Sequence, residues 1–211
     1  MITINKAPSR PALLDATEKT ILLAVYIAFA FQMVRGWLDG GTLPNLIYVV
    51  DQLIILLFIL FRRPTTDISL RPGEWFAGFA GTFLPLLVAP VGVGDAVAPG
   101  AMILLLMLVG VAVHLGAKLI LRRSFGVVAA NRGVKVSGPY RFVRHPMYAG
   151  YMIVQAGFLL SGPSIQNVAV ILTCWALYVW RIRAEERVLS QDEAYVRMME
   201  RTRYRLLPGI W

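Results

Sequence analysis

Apolar and polar positions along the chain divide it into long hydrophobic runs separated by short breakers. Four runs come first, at about residues 18–38, 44–61, 73–91 and 97–121. Each approaches the roughly 20 residues that a helix needs to cross a hydrocarbon core. Asp39-Gly40-Gly41, Arg62-Arg63-Pro64 and Arg122-Arg123 end the first, second and fourth. Two shorter runs follow, 147–160 and 165–180, joined by Ser161-Gly162-Pro163-Ser164. The first of these is only about 21 Å long as a helix. The pair therefore reads as a helical hairpin that spans fully only with flanking residues or local thinning of the bilayer. Beyond it the pattern changes. Between about 183 and 203, Ala184, Val188, Tyr195 and Met199 recur at helical spacing with charges between them, until Pro208 and Gly209 stop the run. That is an amphipathic helix lying at the membrane surface or capping a site. The predicted fold class is all-α: a polytopic membrane protein of about six transmembrane helices, including the short C-terminal hairpin, plus a cytoplasmic amphipathic C-terminal helix.

Composition agrees. Of 211 residues 57% are hydrophobic and 16% charged, against about 25% charged in a soluble domain. The net charge of +9 does not make a nucleic-acid binder, because the basic residues sit between apolar runs, where they set topology and attract anionic lipid. The turns at 39–43, 92–96 and 161–164 hold no Lys or Arg, whereas 19 of the 21 basic residues fall in the segments between the opposite helix ends and at the termini. Six crossings with both termini cytoplasmic follow from the positive-inside rule. No small-residue cleavage pattern follows the first run, so no removable signal is expected. Cys174 is the single cysteine and lies in an apolar run, which leaves no disulfide, zinc site or other metal site to build from cysteine. Gly92-Val93-Gly94-Asp95 has the look of a nucleotide loop, but no strand precedes it and no GxGxxG is completed.

The chemistry concentrates in Ser137–Tyr151, SGPYRFVRHPMYAGY. Arg144-His145-Pro146 falls at the mouth of a membrane helix, where ionisable groups are costly unless they work or pair. Arg144 can fork onto a carboxylate or phosphate, and His145 can donate, accept or titrate near neutral pH. Tyr140, Tyr148 and Tyr151 add aromatic faces with hydroxyls. A second cluster, Arg181-Ile182-Arg183-Ala184-Glu185-Glu186, lies past the hairpin, with Arg181 and Glu185 spaced to pair along one helix. Taken singly, these features also fit blander roles: the second cluster a headgroup-facing surface, Arg144 a snorkelling side chain, His114 a helix-packing hydrogen bonder. Asp51 and Arg35 lie in or near the second and first runs, are candidates to pair with each other, and are assigned to packing.

Taken together, residues 119–211 resemble the isoprenylcysteine carboxyl methyltransferase and phospholipid methyltransferase superfamily. The matching blocks are Arg123-Ser124-Phe125-Gly126, Ser137 to Gly150, Arg181 to Leu189, Tyr195, and Leu206-Leu207-Pro208-Gly209, in family order with an apolar hairpin between them. The resemblance implies an integral membrane enzyme with S-adenosylmethionine as methyl donor and a lipophilic small-molecule or lipidated acceptor admitted from the bilayer. Carried over, His145, Pro146, Tyr148, Glu185 and Glu186 line the cofactor pocket. Backbone around Val136, Gly138 and Tyr140 closes it together with Leu207 and Pro208. Arg144 and Arg181 orient the acceptor as the catalytic pair. Residues 122–211 then form the catalytic region and 1–121 shape the acceptor tunnel, within one structural unit. The chain departs from the family at Ser190 to Tyr195, where a Phe-Gly usually precedes the acidic pair.

The physics is compatible with that reading. A sulfonium and an ammonium suit buried carboxylates, and an arginine suits a carboxylate. Methyl transfer is an in-line displacement in which alignment and water exclusion supply most of the catalysis. Carboxyl O-methylation needs no general base. N- or S-methylation of a phospholipid amine or small thiol would make His145 or a glutamate a base candidate. Two readings of other classes stand beside these, a membrane reductase that shares the helical core and uses a nicotinamide cofactor, and a non-enzymatic membrane subunit. Cofactor binding separates the three, and the first 121 residues carry no motif that names the acceptor.

Overall fold

The computed structural model describes residues 10–61, 71–124, 127, 129, 131 and 133–211, and the side chains of residues 10–19, 22 and 123 lie outside that description. Among the described residues all regular structure is helical. In order these are α1 (Arg10–Leu38), α2 (Leu43–Leu60), α3 (Pro72–Phe83), α4 (Gly100–Leu121), α5 (Pro146–Ser161), α6 (Ile165–Leu189) and α7 (Glu193–Arg201). Three of them, α2, α4 and α6, are long and apolar enough to cross a membrane, and 23–38 of α1 is a shorter apolar stretch.

Two boundaries differ from the sequence pattern. The third apolar run, expected as one helix over 73–91, is helical only to Phe83 and continues as a 3-10 turn, Leu84–Leu87, before becoming extended. Pro85 and Pro90 deny the run two backbone donors and crowd the preceding turns. Extended backbone is tolerated among membrane helices only where its polar groups are met from outside, and here two asparagines meet them. Asn45 Nδ2 donates to the Val91 carbonyl (2.9 Å) and Asn45 Oδ1 accepts from Val91 N (3.0 Å). Asn167 Oδ1 accepts from Ala89 N (2.8 Å), and Asn167 Nδ2 donates to the Ala89 carbonyl (3.2 Å). Each amide thus replaces a neighbouring strand and ties α2 and α6 to the same segment. The Gly92–Asp95 stretch is a turn closed by the Asp95 carboxylate accepting from Gly92 N (2.8 Å).

The second difference concerns the C-terminal region. The hairpin's second arm does not stop near Trp180; α6 runs on to Leu189, so Arg181–Glu186 forms its last turns. The predicted amphipathic helix over 183–203 is therefore two pieces. Ser190 ends α6 with its N–H on the Glu186 carbonyl (2.8 Å), and Asp192 starts α7 by accepting from Ala194 N (2.8 Å). Asn131 donates to the other Asp192 oxygen (3.0 Å). These bonds hold the Asp192 carboxyl below its usual range, the Asn131 bond contributing most. Tyr195 and Met198 form the buried face of α7.

The tightest helix contact is between α4 and α5. A Cβ on Gly150 would stand 2.6 Å from His114 N and 2.8 Å from the Gly110 carbonyl, and one on Gly110 would stand 2.6 Å from Val154 N. Two glycines facing each other let the backbones touch, the small-residue packing that membrane helices favour. This fixes the start of α5, which carries the first polar cluster, against α4.

Candidate functional site

Pro146 opens α5 as its first residue, and a residue ahead of proline is held out of helical conformation. His145 accordingly sits at φ −126°, ψ 56°. The N–H groups of Arg144 and His145 thus turn outward, and they donate to the carbonyls of Tyr204 (2.9 Å) and Arg205 (2.8 Å). The C-terminal segment is in this way strapped across the mouth of α5. Its end folds back, with Arg205 N and Leu206 N both donating to the Trp211 carbonyl (2.8 and 2.9 Å).

Side chains lock the strap. Glu186 receives Arg144 Nε on one carboxylate oxygen and Arg205 Nε on the other, both at 2.8 Å, with His145 Nε2 3.2 Å from the first. Arg144 Nη1 also donates to the carbonyls of Thr202 (2.9 Å) and Arg203 (2.7 Å). Thr202 Oγ1 donates to the Tyr140 carbonyl (3.3 Å). Arg144, His145, Glu186 and Thr202 are all buried. One carboxylate and two guanidiniums therefore clasp the loop, the end of α6 and the C-terminus together. Tyr195 of α7 brings its hydroxyl to 3.5 Å from His145 Nε2. Burial, then the nearby Glu186 carboxylate, pushes the Tyr195 phenol above its ordinary pKa, so it stays a neutral donor.

Glu185 differs from its neighbour. It is partly exposed, accepts a hydrogen bond from Tyr148, and has His145 Nδ1 at 3.7 Å. Among the described residues no Lys or Arg forms an ion pair with it. One turn earlier on α6, Arg181 is buried, lies over the Tyr148 ring (5.4 Å to the centroid) and donates Nη2 to the Val127 carbonyl (3.0 Å). That is the single hydrogen bond its guanidinium makes among the described residues, so the expected Arg181–Glu185 pairing is replaced by a bond to the loop. Gly81 of α3 makes room for it: a Cβ there would meet Arg181 Cδ at 3.2 Å. A carboxylate without an arginine or lysine ion pair and an arginine with a single hydrogen bond, both counted among the described residues, thus flank one tyrosine ring. Such a site accepts a cation and an anion side by side.

The structure brings Arg144, His145, Pro146, Tyr148, Arg181, Glu185 and Glu186 together, with Tyr140 buried beneath the strap. Gly138 opens the 3-10 turn to Arg141 in the left-handed region, φ +59°. Val136, Leu207 and Pro208 are exposed on the outer side of the strap region. Phe125 and Gly126 lie outside the described residues. Sequence reasoning missed Thr202 and Arg205, which sit in the polar stretch ahead of the Leu206–Gly209 block. It also paired Asp51 with the wrong residue. Arg35 lies over Phe31 (5.4 Å), while Asp51 sits 2.5 Å from His114 Nε2 and accepts from Gln52 (3.0 Å). Lys118, fully buried, adds its Nζ 3.3 Å from His114 Nδ1.

Fold and site together define a helical membrane protein with a polar site built at one end of its bundle and closed by its own C-terminus. Residues 101–191 match the model of the isoprenylcysteine carboxyl methyltransferase (ICMT) family. The match takes in α4, the loop, α5, α6 and therefore both polar clusters, and it supports a membrane methyltransferase of the ICMT type. No curated protein matches the chain.

Proposed function

We propose that the chain is an integral membrane, S-adenosylmethionine-dependent methyltransferase that O-methylates a carboxylate on a lipophilic acceptor. The observation that carries this reading is the split between the two glutamates. Glu186 is spent on the Arg144–Arg205 clasp, whereas Glu185 presents a negative charge beside Tyr148 that is in ion-pair contact with no arginine or lysine among the described residues. A carboxylate flanked by aromatic rings is a donor set suited to a sulfonium or ammonium. Bound there, the cofactor supplies an electrophilic methyl group. His145, with Tyr195 behind it, holds the carboxylates in place, the strap excludes water, and Arg181 orients the acceptor carboxylate with guanidinium donors that bond no other described residue. A preformed clasp makes the alignment, which is what an in-line transfer requires. Residues 122–211 form the catalytic region, and α1–α4 shape the passage by which the acceptor arrives from the bilayer.

Calorimetric titration of the purified protein in detergent tests the cofactor. Micromolar binding of S-adenosylhomocysteine with no binding of NADPH is expected, and the reverse would make the protein a reductase. Binding of neither would leave a scaffold without this activity. A labelled-methyl screen across lipid carboxylates, amines and thiols then tests the acceptor. Carboxylates are expected to be methylated, while transfer to thiols or amines alone would move His145 from a structural role to that of base.

The one-sided basic residues support a site and both termini on the cytoplasmic side. With Cys174 replaced by alanine, an impermeant maleimide applied to intact cells is expected to label Val93→Cys and to spare Arg201→Cys. Both positions are exposed. The opposite labelling would put the site on the other face.

A further inference from the structure

Away from the clasp, the hydroxyls of Tyr26 and Tyr151, Asp51 Oδ1, Gln52 Oε1 and His114 Nε2 are buried side-chain atoms with no aligned hydrogen-bond partner among the described residues. Asp51 Oδ1 and His114 Nε2 lie 2.5 Å apart, so these two lack only alignment. The two phenols and the Gln52 amide oxygen remain unmet. Leaving such groups dry in a hydrocarbon-like interior is costly, and they come from three different helices, α1, α2 and α5.

These groups cluster. The His114 and Tyr151 rings are 5.2 Å apart, and Lys118 Nζ lies 4.7 Å from the Tyr151 centroid. Gln52 is bonded to Asp51. Tyr26 lies within electrostatic range of both Asp51 and Arg181, as does Tyr151. Tyr151 packs edge-on against Tyr148 (6.1 Å), the residue that touches Glu185. The cluster therefore continues the site inward, about 5 Å deeper along α5, one helical turn.

Its chemistry selects the ligand. Asp51 and Lys118 are bridged by His114, so these three polar groups already answer one another. What is left over is two O–H donors and one amide acceptor. An alcohol has the matching chemistry, because its oxygen accepts from phenols and its proton goes to an amide oxygen. A plain hydrocarbon tail would leave them orphaned, and a site with unmet polar groups discriminates strongly against ligands that cannot satisfy them.

We infer that Tyr26, Gln52 and Tyr151, backed by Asp51, His114 and Lys118, form a second recognition subsite that takes a hydroxyl carried on the acceptor's lipophilic skeleton, near the group to be methylated. This rests on the reading above of a lipophilic carboxylate acceptor. The test separates the two by measuring equilibrium binding as well as turnover. The probes are hexadecanoic acid and its analogues carrying a hydroxyl or a keto group at carbons 4 to 6, titrated into the full chain in detergent with S-adenosylhomocysteine present. The best hydroxy acid is expected to bind on the order of tenfold tighter than the plain acid, and tighter than the matching keto acid. Tyr151→Phe and Tyr26→Phe, each lacking one hydroxyl, are each expected to bring that ratio close to one. Equal binding of plain and hydroxy acids to the wild type would overturn the subsite and leave bound water as what meets these groups. A preference unaltered in both variants would also overturn it. Tight, hydroxyl-dependent binding without methyl transfer would uphold the subsite and refute carboxyl methylation.

Discussion

Glu186→Gln is expected to destabilise the protein, while Glu185→Gln leaves it folded and weakens cofactor binding. Adjacent in sequence, the two glutamates do different work. Glu186 compensates two guanidiniums at 2.8 Å each, one of them buried Arg144. Removing one member of a buried ionic cluster strands the rest, at a cost of about 3–5 kcal/mol. The Glu186→Gln chain should therefore lose its strap: the midpoint of thermal unfolding in detergent falls, and proteolysis after Leu189 becomes faster. Glu185 has no arginine to strand among the described residues. Its replacement should reduce affinity for S-adenosylmethionine by roughly 10- to 100-fold, equivalent to about 1.4–2.8 kcal/mol. The effect should be smaller for S-adenosylhomocysteine, whose neutral sulfur has less use for the charge. Equal stability of the two variants would contradict the division of labour, and equal loss for both cofactor forms would mean that Glu185 supports shape rather than charge.

That division could not be read from the sequence. The pattern located both clusters, and the apolar runs located α2, α4 and the arms of the hairpin, because a run of membrane length tolerates few alternatives to helix. It misjudged the third run, since Leu84–Val91 is as apolar as a helix would be. What makes it extended is a pair of prolines within it and two asparagines, one 46 residues before Val91 and one 78 after Ala89. It also split α6 from its polar end, because hydropathy falls at Arg181 while the helical hydrogen bonds do not stop there. Pairings set by three-dimensional proximity were hidden for the same reason. Asp51, His114 and Lys118 are lone polar residues in two separate apolar runs, and nothing in either run names the partner. Arg205 and Thr202 act through contacts with a cluster that the sequence had already marked as complete.

The two arginines at the site separate in the same way. Arg181→Lys is expected to keep the fold and cofactor affinity within a few-fold of wild type yet to cut methyl transfer, by about 10²-fold if alignment is its main contribution. Among the described residues its guanidinium makes one hydrogen bond, to the Val127 carbonyl, and it lies over Tyr148. A lysine can hold the carbonyl or the acceptor but cannot fork onto an oxyanion. Arg144 sits on the other side of the balance. Its Nε and Nη1 already serve Glu186 and the carbonyls of Thr202 and Arg203, so Arg144→Lys should lose activity together with stability, as the strap loosens. A snorkelling role at the headgroups would leave both variants fully active, because lysine snorkels equally well. Measuring unfolding midpoint, cofactor affinity and turnover for both in one detergent distinguishes the cases. Activity lost without stability marks the residue that touches the acceptor, and activity lost with it marks the one that holds the lid. If Arg181→Lys turns over at the wild-type rate, the acceptor's oxyanion is held elsewhere, and Arg181 serves only to fasten the loop through Val127.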